Sequence, residues 1–347
     1  MRLPIFGEVI FYSDKARLLK TFSFRKAWNL LRLYRSFHAS RRSKSAVHKG
    51  MPVAISIEPT TACNLGCPEC PSGLKVFSRP TGNLRLDLNK RILDELAPWL
   101  WYVNFYFQGE PYIHPQFLQL VHYAKSKGIY TSTSTNAHFL SDEKAKATVE
   151  SGLDRLIISI DGTTQDTYEQ YRINGSLDKV IEGTKNIIRW KKELRSSTPH
   201  IIFQFLVVRP NEHQVDEVFQ LAKELGVNEI RLKTAQVYNF EKGNPLIPEN
   251  ENYSRYKQKK DGSWSVKNKM EDHCWRMWSS SVITWDGKLV PCCFDKDAEH
   301  RLGDLKQESF RSNWTSPAYN QFRNAVLSGR DQIEICKNCS EGTKVWA

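Results

Sequence analysis

From residue 53 to about residue 240 the chain alternates between two hydrophobic periods. Short apolar runs recur at Val53–Ile57, Tyr102–Phe107, Ile129–Ser134, Arg155–Ile160, Ile201–Val208 and Glu229–Lys233, and each reads as a strand. Between them the apolar positions fall three and four apart, the period of a helix with one buried face. These helical segments are Leu86–Leu96, Pro115–Lys127, Ser141–Ser151, Leu177–Leu194 and Gln214–Leu225; Gly128, Gly152 and Gly226 stop three of them. Strands joined by crossover helices predict an α/β fold with a parallel sheet, and their apolar composition predicts burial on both faces. Six such units suit an open or partial barrel better than a closed eight-unit one. Ligands of these sheets bind at the carboxyl ends of the strands.

The flanks read differently. Residues 1–50 form a basic helical arm, with Trp28, Leu30, Leu31, Leu33, Tyr34 and Phe37 set among Arg25, Lys26, Arg32 and Arg35. The arm holds twelve Lys/Arg against Glu8 and Asp14, a net +10 of the chain's +12, so the rest is close to neutral. It reads either as a helix packed across the barrel mouth with a solvated basic face or as a contact with an anionic membrane surface. Nucleic acid is disfavoured as a partner, because the positive charge is confined to one end. Residues 51–240 are the barrel. Residues 241–273, polar and punctuated by Pro245, Pro248 and Gly262, read as a linker or substrate-covering loop. Residues 274–347 form a small unit with a hairpin at Ser281–Pro291 that turns at Asp286-Gly287. Apolar residues are 40% and charged residues 25%, ordinary for a globular protein. No apolar run reaches the roughly 20 residues of a bilayer span, and no signal peptide is recognisable, which predicts a cytoplasmic protein, peripheral to the membrane if the arm docks there.

The cysteines carry the chemistry. Three of the eight lie at Cys63-x3-Cys67-x2-Cys70, directly after the first strand. Three thiolates without a nearby fourth ligand leave one coordination position open, which is what a catalytic metal centre needs. The others are Cys274-x12-Gly287-x4-Cys292, Cys293, and Cys336-x2-Cys339. Clustered spacings of this kind favour metal over disulfide in a reducing compartment.

The Cys63, Cys67, Cys70 spacing after a first strand resembles the defining motif of the radical S-adenosylmethionine (SAM) enzymes. The resemblance implies a TIM-like partial (β/α)6 barrel with a [4Fe–4S] cluster on these three cysteines. SAM would chelate the open iron, and its reductive cleavage would free a 5′-deoxyadenosyl radical. Further segments are similar to the family's cofactor-binding motifs. Gln108-Gly109-Glu110-Pro111 looks like its GGEP segment, which orients the SAM ammonium. Thr135-Asn136-Ala137 resembles its Thr-Asn-Gly, with alanine for glycine. Ser159 and Asp161 end the fourth strand, and Arg172 matches the arginine that pairs with the SAM carboxylate. Glu69 stands where the family often has an aromatic residue near adenine. More weakly, Gln204, Val207 and Asn211 match cofactor-wall positions, while Lys233 and Gln236 could face substrate.

Cys274, Cys292, Cys336 and Cys339 are similar to the opening of a SPASM domain. They match its shortened, twitch-like version, which implies a second, fully ligated [4Fe–4S] cluster. A four-thiolate zinc ribbon satisfies the same spacing, and with the basic arm it would make a nucleic-acid-binding protein the reading from another class. Cys293 reads as an alternative ligand to Cys292, a small buried residue or a thiol facing substrate. The resemblance implies an oxidoreductase that abstracts hydrogen from a small-molecule, saccharide or lipid-linked substrate. The auxiliary cluster would accept or relay electrons, and flavodoxin or ferredoxin would act as external donor. Peptide modification is the alternative; residues 1–50 are short and basic for a leader-binding domain.

Overall fold

The computed structural model describes residues 8–342, and within it the six alternations become six parallel strands. They are β1 (Ala54–Ile57), β2 (Tyr102–Asn104), β3 (Tyr130–Thr135), β4 (Arg155–Ser159), β5 (His200–Val207) and β6 (Glu229–Thr234). Helices α1 (Glu8–Leu19) and α2 (Phe24–Ser43) precede the sheet. The crossovers contain α3 (Pro71–Leu74), α4 (Leu86–Leu96), α5 (Phe117–Ser126), α6 (Asp142–Glu150), α7 (Gln165–Tyr171), α8 (Leu177–Glu193) and α9 (Val215–Leu225). Caps set their limits: the Ser141 and Ser176 side chains accept from the backbone N–H groups of Lys144 and Lys179 at the starts of α6 and α8. Gly226, at φ +78°, ends α9 in the left-handed region.

The sheet sorts side chains by parity. Ile55, Ile57, Val103, Phe105, Leu156, Ile158, Ile201, Phe203 and Phe205 belong to the main core, together with Leu88, Ile92 and Leu96 of α4, Leu120 and Val121 of α5, and Val180 and Ile187 of α8. Each such side chain contributes about 1.5–3 kcal/mol by leaving water. Of the alternate positions, Ser56, Tyr102, Asn104, Ser132, Ser159, Gln204 and Lys233 are polar while Ile157, Ile202 and Leu206 are apolar, and all face away from the helices into the concave side.

The C-terminal hairpin is continuous with this sheet. After a small hairpin of β7 (Tyr256–Gln258) and β8 (Trp264–Val266) within the polar segment 241–273, strand β9 (Ser280–Ile283) pairs parallel with β1, Ile55 opposite Ser281 and Ile57 opposite Ile283. Strands β10 (Lys288–Val290) and β11 (Gly303–Asp304) follow antiparallel, giving nine strands in the order β11-β10-β9-β1-β2-β3-β4-β5-β6. The expected turn is present, with Gly287 at φ +85°.

The arm does not cross the barrel mouth as the packed alternative predicts; it closes the opposite end. Asn29 of α2 donates to Met51 O (2.7 Å) and accepts from Met51 N (2.8 Å), just ahead of β1. Phe37 packs edge-on against Trp275 and Trp278 ahead of β9, and Phe22 against Trp101 ahead of β2. Asp14 of α1 accepts from Tyr130 Oη (2.5 Å) and Arg155 Nε (3.1 Å), the first residues of β3 and β4. Every one of these anchors lies at the amino end of a strand. Among the described residues no helix is long and apolar enough to cross a membrane.

Candidate functional site

The loop after β1 is held by loops from the carboxyl ends of the neighbouring strands. Glu110 N donates to Ala62 O (2.7 Å) and Gly66 N to Ile173 O (2.9 Å). Gly109 sits at φ +74°, and a Cβ there would lie 2.4 Å from Thr60 O and 2.8 Å from Ala62 O, so only glycine admits this approach. Its N–H donates to Ser72 Oγ (2.9 Å), behind the third cysteine. Cys63, Cys67 and Cys70 thereby gather in an apolar pocket with Leu65, Tyr171 and Val208. Cys70 Sγ lies 3.9 Å from Gln108 Oε1. Pro111 opens a single turn capped by Glu110, whose side chain accepts from Tyr112 N.

Glu110 joins three loops. Its buried carboxylate accepts from Tyr112 N (3.1 Å), Thr135 Oγ1 (2.7 Å) and Asn136 N (2.7 Å). Burial pushes its pKa up to about 6 against these donors. Asn136 Nδ2 reaches Asn64 Oδ1 (2.8 Å), tying the third loop to the cysteine loop. Ala137 adopts φ +64° where the resembled motif has glycine, so the backbone shape survives the substitution.

Arg172 is neither a surface residue nor free. Its Nε donates to Asp161 Oδ2 (2.5 Å), and its Nη1 lies 3.7 Å from Cys67 Sγ. Asp161 is fully buried and also accepts from Leu206 N (2.7 Å), while Asn211 Nδ2 donates to Asp161 O (2.9 Å). Ser159 ends β4 beside Gln204 of β5. Glu69 accepts from Tyr238 N (2.9 Å) and ties the cysteine loop to the segment after β6.

The second group of thiols lines one cavity. Cys274, Cys292, Cys336 and Cys339 surround about 380 Å³ of atom-free space, open mouth included, together with Met277, Phe294 and Ile335. Arg330, almost fully buried, donates to Cys339 Sγ (3.2 Å), His273 O (2.9 Å) and Glu341 O (2.6 Å). Cys293 is absent from this lining and is exposed. Arg276, Glu341 and Lys233 are its charged neighbours.

Both groups fit iron–sulfur clusters. Burial pushes the Cys63 and Cys339 thiols each up to about 11, so a cationic group would be needed to deprotonate these two. A guanidinium beside each supplies an N–H donor to sulfur. Among the described residues no three His, Cys, Asp or Glu side chains converge on a single-ion position. Thiolates around one zinc, with bonds of about 2.3 Å, would stand only about 3.8 Å apart.

One feature near the site has no sequence signal. Arg79 grips Glu58, at the end of β1, through Nη1–Oε2 and Nη2–Oε1 contacts of 2.6 Å each, and both side chains are buried. Trp285 N donates to the same carboxylate (3.2 Å), Arg79 Nε donates to Lys296 O (3.3 Å), and Asp297 accepts from Ser78 N (3.0 Å). The segment after the first cysteines is thus fastened to the C-terminal unit.

Sequence comparisons match these segments to known families. The profile of the Radical SAM superfamily matches residues 57–220, and that of SPASM, an iron-sulfur cluster-binding domain, matches residues 274–340. The chain is 26% identical over 317 residues to the tungsten-containing aldehyde ferredoxin oxidoreductase cofactor-modifying protein of Pyrococcus furiosus, covering 82% of this chain and 86% of that one. It is 26% identical over 320 residues to the PqqA peptide cyclase of Bradyrhizobium diazoefficiens, covering 84% and 79%. Its fold is similar to that of Streptococcus suis SuiB bound to S-adenosylmethionine, with a TM-score of 0.62 at 13% identity over 99% of this chain and 89% of that one. Both profiles fall on the segments that carry the two thiol groups, so the chain contains a radical SAM superfamily domain at residues 57–220 and a C-terminal SPASM iron–sulfur cluster-binding domain at residues 274–340.

Proposed function

We propose that the enzyme cleaves SAM reductively at a cluster on Cys63, Cys67 and Cys70 and oxidises a polar small-molecule or saccharide substrate in the concave interior. A single auxiliary cluster on Cys274, Cys292, Cys336 and Cys339 carries electrons. When bound, the first cluster supplies the electron that splits SAM, and the resulting 5′-deoxyadenosyl radical takes a hydrogen atom from a substrate C–H. The chain's own residues bind and orient. Gly109 presents backbone close to the cysteine loop, and Glu110 locks the loops of β2 and β3 together. Arg172, held by Asp161, keeps a positive charge beside Cys67 that suits both a thiolate and a carboxylate ligand. The auxiliary site offers four thiols and so no open iron, which suits electron transfer rather than substrate binding.

The observation that carries this reading is the sidedness of the sheet. All SAM-motif residues follow the carboxyl ends of β1 to β4, while the polar Tyr102, Asn104, Gln204 and Lys233 share the concave face of the sheet with Ile157, Ile202 and Leu206. The Asn104 Oδ1 atom is buried there with no partner among the described residues. A peptide substrate is the second reading, favoured by the similarity to the PqqA peptide cyclase. A lipid-linked substrate loses its support from the arm, which sits at the other end of the strands.

Anaerobic turnover with SAM and dithionite tests the proposal. The wild type should carry about eight iron atoms in two clusters and release 5′-deoxyadenosine. Cys336→Ala should still release 5′-deoxyadenosine but form no product; product formation without the auxiliary cluster would refute the electron role. Cys292→Ser should remove that cluster, and Cys293→Ser should retain it.

A further inference from the structure

Helix α2 has two opposite faces, and the fold uses only one. Asn29, Leu33, Ser36, Phe37 and Ser40 turn inward and are buried. On the opposite side lie Phe24, Trp28, Leu31, Arg35 and Arg42, spaced by three, four or seven residues, so they form one stripe along the helix. Phe24 is 86% exposed, Trp28 60% and Leu31 37%; Leu19 at 63% and Phe22 at 51% extend the apolar patch around the α1–α2 turn. Toward its carboxyl end the stripe becomes cationic, with Arg32 beside Arg35 and with Arg42 in the last turn. The helix contains no acidic residue. Large exposed aromatics on a helix already held by its other face have no folding role, and a contiguous patch of this kind marks a docking surface.

We infer that this stripe docks the enzyme on a membrane surface rich in anionic phospholipid. The chemistry of the patch selects the occupant. Aliphatic and aromatic tips at the α1–α2 turn suit shallow insertion among acyl chains, and arginines farther along the same face suit phosphate headgroups. Their long apolar stems let them lie along the interface. The buried face of α2 rests on residues that precede β1 and β9, so a docked enzyme turns its amino-terminal strand ends to the membrane. The SAM end of the barrel then faces solution. Docking localises the enzyme without presenting a lipid to the active site.

The test is flotation of the full-length, cluster-loaded enzyme with vesicles of phosphatidylcholine alone and of phosphatidylcholine mixed with phosphatidylglycerol. Binding is expected to the mixed vesicles only and should weaken as salt is added. Arg32→Gln/Arg35→Gln should lower the partition coefficient about 25-fold, from roughly fivefold per arginine. Phe24→Ser/Trp28→Ser should lower it at least about tenfold. These side chains are outside the core, so the melting temperature and 5′-deoxyadenosine release in solution should stay at wild-type levels. Equal binding to both vesicle types, or binding untouched by both pairs of substitutions, overturns the proposal. So does a concentration-dependent dimer that Trp28→Ser dissociates, which assigns the face to a second copy. Preferential binding of single-stranded nucleic acid over vesicles, lost in the same variants, overturns it in favour of a nucleic acid.

Discussion

Arg79→Gln removes one half of a buried ion pair and leaves Glu58 at the end of β1 with a charge that no other cation among the described residues neutralises. The side chains of Arg79 and Glu58 are 4% and 0% exposed, and the pair makes two parallel contacts of 2.6 Å. Breaking such a pair from one side costs about 3–5 kcal/mol. Burial already raises the Glu58 carboxyl above its ordinary value, even with Arg79 present. Losing the guanidinium raises it further, and protonation then limits the damage. The sign follows: a carboxyl whose folded pKa exceeds its unfolded one is destabilising when ionised, so the penalty grows with pH and shrinks as pH falls. The variant should therefore lose less stability relative to wild type at pH 6 than at pH 8. Replacing both partners, as Glu58→Leu/Arg79→Met, should restore stability to within about 1 kcal/mol of wild type. Anaerobic urea unfolding followed by circular dichroism, at both pH values, measures all three. A loss below about 1 kcal/mol at pH 8, or one that does not change with pH, would refute the reasoning.

Three further outcomes follow from single contacts. Gly109→Ala places a Cβ 2.4 Å from Thr60 O at φ +74°, so the cysteine loop must move; iron content should fall from about eight toward about four atoms, and 5′-deoxyadenosine release by about 100-fold or more. Asn29→Ala removes both hydrogen bonds to Met51 and should cost about 2–3 kcal/mol, seen as faster protease cleavage at the α2 junction. Burial would raise the Asp14 carboxyl, but hydrogen bonds from Tyr130 and Arg155 outweigh it and hold it low. Its stabilisation is therefore present above the ordinary carboxylate value and lost on acidification below it. Hydrogen exchange over the second half of α1 should rise at acid pH in wild type, and at all pH values in Asp14→Asn.

The legible part of this molecule is the part with a local period. The βα alternation from Val53 to Lys233 announces itself because each strand and helix must bury one defined face, and every crossover helix read from the sequence is present within a few residues. The short helix α7 has too few turns to show a stripe and was not visible. The pairing of β9 with β1 left no trace in the sequence, because it joins residues more than two hundred positions apart and each strand alone reads only as a short apolar run. Direction was equally hidden for the arm. Its amphipathic pattern shows that one face is buried, but Asn29 meeting Met51 and Asp14 meeting Tyr130, at the amino ends of strands, are long-range facts. At the site, Cys63, Cys67 and Cys70 stand out by spacing. Asn64, Ser72, Glu58 and Arg79, which hold that loop in shape, are ordinary polar residues whose roles depend on partners from other loops.

The continuity of the sheet constrains what the two thiol groups can do together. Cys63, Cys67 and Cys70 follow the carboxyl end of β1. Cys274 precedes β9, and Cys292 follows β10, which runs the other way, so both fall toward the amino end of β9. The two groups therefore sit at opposite ends of adjacent strands whose register is fixed by four consecutive pairings, Ala54 with Ser280 through Ile57 with Ile283. A four-residue strand spans about 13 Å, and the Glu58–Arg79 pair with its contacts to Trp285 and Lys296 fastens the same junction a second time. A flexible tether would let the distance between the groups vary; a welded sheet does not. Lys233 and Tyr106 lie near Cys293. In the proposed function, a substrate between the two groups would lose its hydrogen atom at one end of the strands and its electron at the other. The separation of the two thiol groups is set by strand length rather than by the motion of one domain against another.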